Sequence, residues 1–203
     1  MKTKITHFLL LGLACLGFAV PSAQAHPGKD KLIAAVDGVI AALFDGSAAD
    51  LSRDEQRRKV RAAVDEQFSF DIIIRRAFGR NWQRFDEAQQ KEVVDLITET
   101  LITAYVEGFA GEAKPEVSYG SVVEIARNRI EIPSTVIANG QQVNLLYRMG
   151  RMESGWEVFD VVAEGVSMVS NYRQQFDDHF RRGTPEQLIE RLERMAERGE
   201  VEL

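Results

Sequence analysis

The side chains able to do chemistry gather in one stretch, where Asp160 and Glu164 interrupt the apolar run Trp156-Glu157-Val158-Phe159-Asp160-Val161-Val162-Ala163-Glu164-Gly165. A carboxyl group held in an apolar pocket is harder to ionise and can serve as a general base. The structural reading is that Asp160 is hydrogen-bonded to backbone or to an arginine. Glu164 would then sit near a helix start, where the helix dipole favours negative charge. No base–nucleophile pair is visible, so the structural reading outweighs catalysis. Gly165-Val166-Ser167-Met168-Val169 has Val169 where a nucleophile elbow needs its second glycine, which leaves Ser167 to serve the helix N-terminus. His26 and His179 stand far apart and have no cysteine or clustered carboxylates at ligand spacing, so no metal site is expected. Tyr105, Tyr147 and Tyr172 are either polar handles in a pocket or core residues with a hydroxyl reaching water. Arg148, Arg173, Arg181 and Arg182 could meet a phosphate, but in an acidic chain they are expected chiefly to pair with the surplus carboxylates.

The elements that must position these groups follow from periodicity. Trp156 to Val162 is rich in aromatic and β-branched residues and apolar on both faces, which predicts a buried strand. After Gly165 the period changes to 3.6, with Val166, Val169, Tyr172, Phe176 and Phe180 on one helical face, so a strand should turn directly into an amphipathic helix. Upstream, Lys31 to Phe44 reads as a helix ended by Gly46. Ser52-x-x-Glu55 is a capping box opening a second helix to about Gln67. Phe68 to Phe78 is a dense apolar cluster in a short helix or turn ended by Gly79. Asp86 with Gln89 opens the longest helix, to about Phe109, whose apolar stripe is wide enough to cover something broad. Then the pattern becomes strands: Val117 to Ile125, Arg129 to Ala138, Gln141 to Met152 and the central strand, with Asn139-Gly140 as a hairpin turn. Pro133 weakens the second of these or places it at an edge. Thr184-Pro185-Glu186-Gln187 caps a last helix. This order predicts an α+β fold, helices packed on a curved four-stranded antiparallel meander.

Residues 1–25 read as a secretory signal peptide: Lys2 and Lys4, an apolar run from Phe8 to Val20, and Ala23-Gln24-Ala25 as the cleavage site. A lipoprotein anchored through Cys15 is the alternative, though Gly12 stands where a lipobox wants leucine. The remaining residues, 26–203, form one domain of ordinary size. Without Lys2 and Lys4 the chain's 25 basic residues become 23, against 31 acidic ones, a net charge of −8. That balance argues against nucleic acid and against firm adhesion to anionic membranes. Removal of Cys15 leaves no thiol chemistry, and no other apolar run is long enough to span a bilayer.

Trp156-x-Val158-x-Asp160-Val161, Glu164-Gly165-Val166-Ser167-Met168-Val169 and Asn171-Tyr172-Arg173-x-Gln175-Phe176 together resemble the signature of the MlaC family, the periplasmic phospholipid-binding proteins also called toluene-tolerance or ABC-transporter auxiliary proteins. Phe70-Asp71, Ala77-x-Gly79-Arg80-x-Trp82 and Tyr105 follow in the family's order, so the resemblance runs from about Asp30 to the last helix. It implies a cystatin-like, NTF2-like arrangement enclosing a deep apolar pocket, and a periplasmic carrier that holds phospholipid by its acyl chains. It also implies two partners: an inner-membrane ABC transporter with an MCE-domain lipid-shuttling protein, and an outer-membrane lipoprotein complex. No cofactor is expected beyond the bound phospholipid. Periodicity then selects the pocket walls: Val94, Leu101 and Tyr105 on the long helix; Leu145, Tyr147, Met149 and Val161 on the strands; Val166, Val169 and Tyr172 after Gly165. Two other readings remain: a carrier of another hydrophobic ligand, such as a hopanoid or an aromatic solvent, and a small-molecule enzyme using Asp160 as base.

Overall fold

The structure, a computed structural model, describes residues 25–46 and 48–198. Residues 1–24, which hold Cys15 and nearly all of the expected signal segment, lie outside the described residues. Four helices come first: α1 (Pro27–Phe44), α2 (Arg53–Gln67), α3 (Phe70–Phe78) and α4 (Glu87–Gly108). Six strands follow, β1 (Glu116–Tyr119), β2 (Val123–Ala126), β3 (Arg129–Ala138), β4 (Gln141–Met152), β5 (Gly155–Ala163) and β6 (Val166–Ser167). Two more helices, α5 (Met168–His179) and α6 (Pro185–Arg198), end the described chain.

The helix starts follow the capping chemistry. Glu55 N–H donates to Ser52 Oγ at 3.3 Å while Ser52 N–H donates back to Glu55 Oε2 at 2.9 Å. Asp86 and Gln89 exchange the same pair of bonds at the start of α4, and Thr184 and Gln187 at the start of α6. α1 begins earlier than its apolar spacing suggests. His26 Nδ1 accepts from Gly28 N–H at 3.1 Å, and Pro27 supplies a first turn whose fixed φ suits a helix. Gly79 ends α3 at φ +55°, a conformation that favours glycine.

The sheet is antiparallel, in the order β1-β3-β4-β5-β6 with β2 also paired to β3, so it has six strands rather than the expected four. Two local causes explain the difference. Val117 to Ile125 is two short strands, because Pro133 interrupts the ladder on β3 between its pairing with β1 (Tyr119↔Ser134) and with β2 (Val123↔Glu131). Gly120 crosses that gap, where a Cβ would lie 2.8 Å from Pro133 Cγ. At the other edge, Glu164 (φ +47°) and Gly165 (φ +83°) form a two-residue turn, so Val166 and Ser167 fold back as β6 instead of entering the helix. Asn139 (φ +53°) and Gly140 (φ +74°) make the same kind of turn between β3 and β4, as their types require.

One buried carboxylate joins the sheet to α5. Asp160, 6% exposed, accepts from Arg148 Nη1 (3.0 Å), from Ser167 Oγ (2.8 and 3.0 Å) and from the Val169 backbone N–H (3.2 Å). Ser167 is the N-cap of α5, its Oγ accepting from Ser170 N–H at 3.1 Å. Asp160 therefore places negative charge at a helix N-terminus and pairs it with an arginine. Arg148 also bonds Glu131 Oε1 at 2.9 Å, and hydrogen bonds to these two carboxylates hold its guanidinium above its usual pKa. Glu164 instead accepts from the Asn144 backbone N–H, locking the β5–β6 turn to β4.

Beneath α5 the helical core is aromatic. Phe78, fully buried, stacks on Phe176 with centroids 3.8 Å apart and meets Phe85 edge-on at 5.2 Å. Phe78→Ala is expected to cost about 3–5 kcal/mol in urea denaturation, since the neighbouring rings cannot collapse onto the space. Asp160→Ala should cost about 2–3 kcal/mol in the same assay, and Asp160→Asn, which keeps one acceptor, clearly less.

Candidate functional site

The helices do not lie flush on the sheet. At one end they do: Leu32 of α1 packs on Ile130, Ile132, Met149 and Val158, all nearly inaccessible. Away from that contact two cavities remain. The smaller, about 230 Å³, lies among α3, α4, α5 and α6, with Val161 as its wall from the sheet. The larger, about 530 Å³, lies between α1, α2 and α4 on one side and β1, β3 and β4 on the other. Phe70 of α3 and Leu101 of α4 line both, so the two cavities share a wall.

Both are dry by composition. Thr100 is the one hydroxyl-bearing aliphatic residue of the smaller cavity, and its Oγ1 donates back to the Leu96 carbonyl at 2.8 Å, which leaves its methyl group for the cavity. The larger cavity carries two phenols. Burial pushes the Tyr105 hydroxyl up to about 12, with Tyr147 beside it adding to the shift, and burial raises Tyr147 as well. Both phenols are therefore neutral at physiological pH. Asp160 lines neither cavity, and its two oxygens are held by Arg148, Ser167 and Val169. Among the described residues no group of three or more His, Cys, Asp or Glu could hold a metal ion.

Of the ten residues chosen by periodicity, Leu101, Tyr105, Leu145 and Tyr147 line the larger cavity, and Leu101, Val161, Val169 and Tyr172 the smaller. Three lie elsewhere. Val94 packs into the helical core around Phe78, because the wide stripe of α4 serves a helix–helix contact at its N-terminal half and the cavities further along. Met149 has the alternation expected of β4 but is 1% exposed, since α1 seals the sheet at that level. Val166 is 56% exposed, because the Glu164-Gly165 turn puts it on the free edge strand. The periodicity of the strands and of α4 missed α3, whose Phe70, Ile73, Ile74 and Ala77 all line the smaller cavity. Their spacing of three, four and seven is the signal that marks one face of a helix. Of the arginines considered for phosphate, Arg148 and Arg181 pair with carboxylates, while Arg173 donates to the Arg76 carbonyl.

No curated protein matches the chain. Among solved structures it is similar to the phospholipid-binding protein from Ralstonia solanacearum, determined in complex with a phospholipid. The likeness has a TM-score of 0.72 at 26% sequence identity and covers 85% of this chain and 98% of that one. The model of the family described as MlaC protein matches residues 34–194, a span that holds the Asp160 joint and every cavity-lining residue except Met195, and the chain belongs to that family.

Proposed function

We propose that this protein is a periplasmic phospholipid carrier whose two cavities take the two acyl chains of one lipid, with Phe70 and Leu101 between them. The observation that carries the reading is the pair of apolar cavities sharing one wall. Apolar lining on this scale, gathered around unfilled space, suits a hydrocarbon ligand. Two acyl chains of about fifteen methylenes bury roughly 25 kcal/mol in a bilayer at about 0.8 kcal/mol per CH₂, so a water-soluble carrier must offer comparably dry walls. The Ralstonia relative, solved with phospholipid bound, supports the same ligand class here.

No helix of the described residues is long and apolar enough to cross a membrane, which suits a chain that moves lipid between membranes. Its partners under this proposal are a lipid-shuttling ABC transporter complex of the inner membrane and a lipoprotein complex of the outer membrane. An apolar wall discriminates chain shape weakly, so the carrier should accept phospholipids of several chain lengths.

Val169 fronts the smaller cavity and tests the proposal. In Val169→Trp the indole is expected to fill ligand space, leaving the melting temperature of delipidated protein within a few degrees of wild type while phospholipid uptake, read by native mass spectrometry, is lost. If Val169 were ordinary core the same change would overpack it and cost about 1–3 kcal/mol. A destabilised variant that still carries lipid would refute the assignment.

Tyr105 reports on the larger cavity through pH. Its neutral form is favoured in the folded state, so its contribution to stability is full below pH 10 and is lost as pH rises from about 10 to about 12. Denaturation at pH 9 and pH 11.5 should show that loss, and Tyr105→Phe should reduce it.

A further inference from the structure

Three arginines that form no ion pair among the described residues gather where α3, α5 and the sheet meet. The Arg76 guanidinium, on α3, lies 4.6 Å from the centroid of the Phe159 ring, and that of Arg129, the first residue of β3, lies 5.8 Å from the same ring. Arg173, on α5, donates from Nε at 3.2 Å and from Nη2 to the Arg76 carbonyl. All three side chains are exposed, and none forms an ion pair among the described residues. The neighbouring carboxylates, Asp160 and Glu131, are engaged by Arg148. Partial burial and then the charges of Arg129 and Arg173 hold the Arg76 pKa below its usual value, against a weaker opposing pull from Asp160. Three like charges kept this close repel one another, in a chain whose net charge is −6.

The ring beneath them is there for a local reason. Phe159 is the extra residue of the bulge between β4 and β5, where Arg148 pairs with Asp160 and Met149 with Val158. A Cβ on Gly150 would lie 3.3 Å from the Phe159 ring and 3.7 Å from Met152 Cε, so the bare backbone of Gly150 lets both side chains lie across it. Phe159 is nearly buried, and Met152 is 40% exposed. Met152 is thus the exposed apolar group of this surface, with Phe159 buried beneath the guanidiniums that border it. Guanidiniums lying over a ring keep their N–H edges outward, in the geometry that grips carboxylates.

We infer that this face docks an acidic protein surface. The role in lipid pick-up or delivery rests on the carrier reading; the docking itself does not. Arginine and methionine are enriched at protein interfaces, and Met152 offers contact area that a lone phosphate cannot use. A bilayer fits less well, because the chain as a whole is acidic.

The test places p-benzoylphenylalanine at Met152 in the protein's own host and maps its photo-crosslinks by mass spectrometry. The expected result is a protein adduct beside a cluster of Asp and Glu. Its yield should fall at least about fivefold in R76E/R129E/R173E, and about threefold when salt is raised from about 50 to about 500 mM in permeabilised cells. Reversing the mapped acidic residues to lysine should restore the yield for the triple variant. Arg129→Glu alone, whose side chain makes no hydrogen bond among the described residues, gives the same reading if the triple variant melts early. The inference is overturned if there is no protein adduct, if the adduct maps to a surface without carboxylates, or if charge reversal leaves the yield unchanged. Co-sedimentation with vesicles of phosphatidylethanolamine and phosphatidylglycerol separates the membrane alternative, since arginine-dependent binding there would overturn the protein partner. Native mass spectrometry of the triple variant should still show bound phospholipid; wild-type protein with none would overturn the carrier reading and leave the crosslink result standing.

Discussion

The helical layer meets the sheet closely at one end only, and the rest of the structure depends on that mismatch. Leu32 closes α1 onto Ile130, Ile132, Met149 and Val158, and there side chains fill the space as a protein interior should. Towards the β3–β4 turn the same face of the sheet continues through Tyr147, Leu145 and Val143, but α1, α2 and α4 stand away from it. Apolar surface on both sides of a gap would normally close it. What resists closure is the rigid attachment of each side elsewhere: α1 to the sheet through Leu32, α3 to α5 through Phe78 and Phe176, and α5 to β5 through Asp160. The gap is held open by contacts outside it.

Under the carrier reading, the division of that gap favours one lipid with two chains over a single-chain ligand. Phe70 and Leu101 project from different helices to the same place and separate a cavity under α5 and α6 from one under the sheet. Thr100 is kept out of the way by bonding its own helix and Asp160 by its three partners, while the phenols of Tyr105, Tyr147 and Tyr172 line the walls. The walls supply area without direction, which selects for hydrocarbon and places little demand on its exact length. Under the proposal the polar end of the ligand stays in water, and the arginine face around Phe159 is free for a partner protein.

Much of this was legible in the residues before any coordinates. The capping boxes at Ser52, Asp86 and Thr184 and the Asn139-Gly140 turn are local chemistry, satisfied by neighbours three residues away or less, and each forms as its types require. Asp160 as a hydrogen-bonded structural carboxylate also followed, because a buried acid with no catalytic partner needs donors. The strand count did not. Pro133 splits the β1–β2 edge only because β3 happens to be flanked there on both sides, a tertiary fact, and Glu164 adopts positive φ although it is not a glycine. The misplaced wall residues share one cause. Periodicity tells which face of an element is apolar, but not whether that face meets protein or empty space. Met149 and Tyr147 lie two apart on one strand face; α1 covers the first and a cavity fronts the second.

Isotope-filtered NMR on the protein loaded with a phospholipid carrying ¹³C-labelled acyl chains tests the central claim most directly. The account predicts nuclear Overhauser contacts from one chain to Val169 and Met168, from the other to Leu145 and Val136, and from both to Leu101. Acyl contacts confined to exposed residues, or both chains in one cavity with the other unchanged, would contradict it.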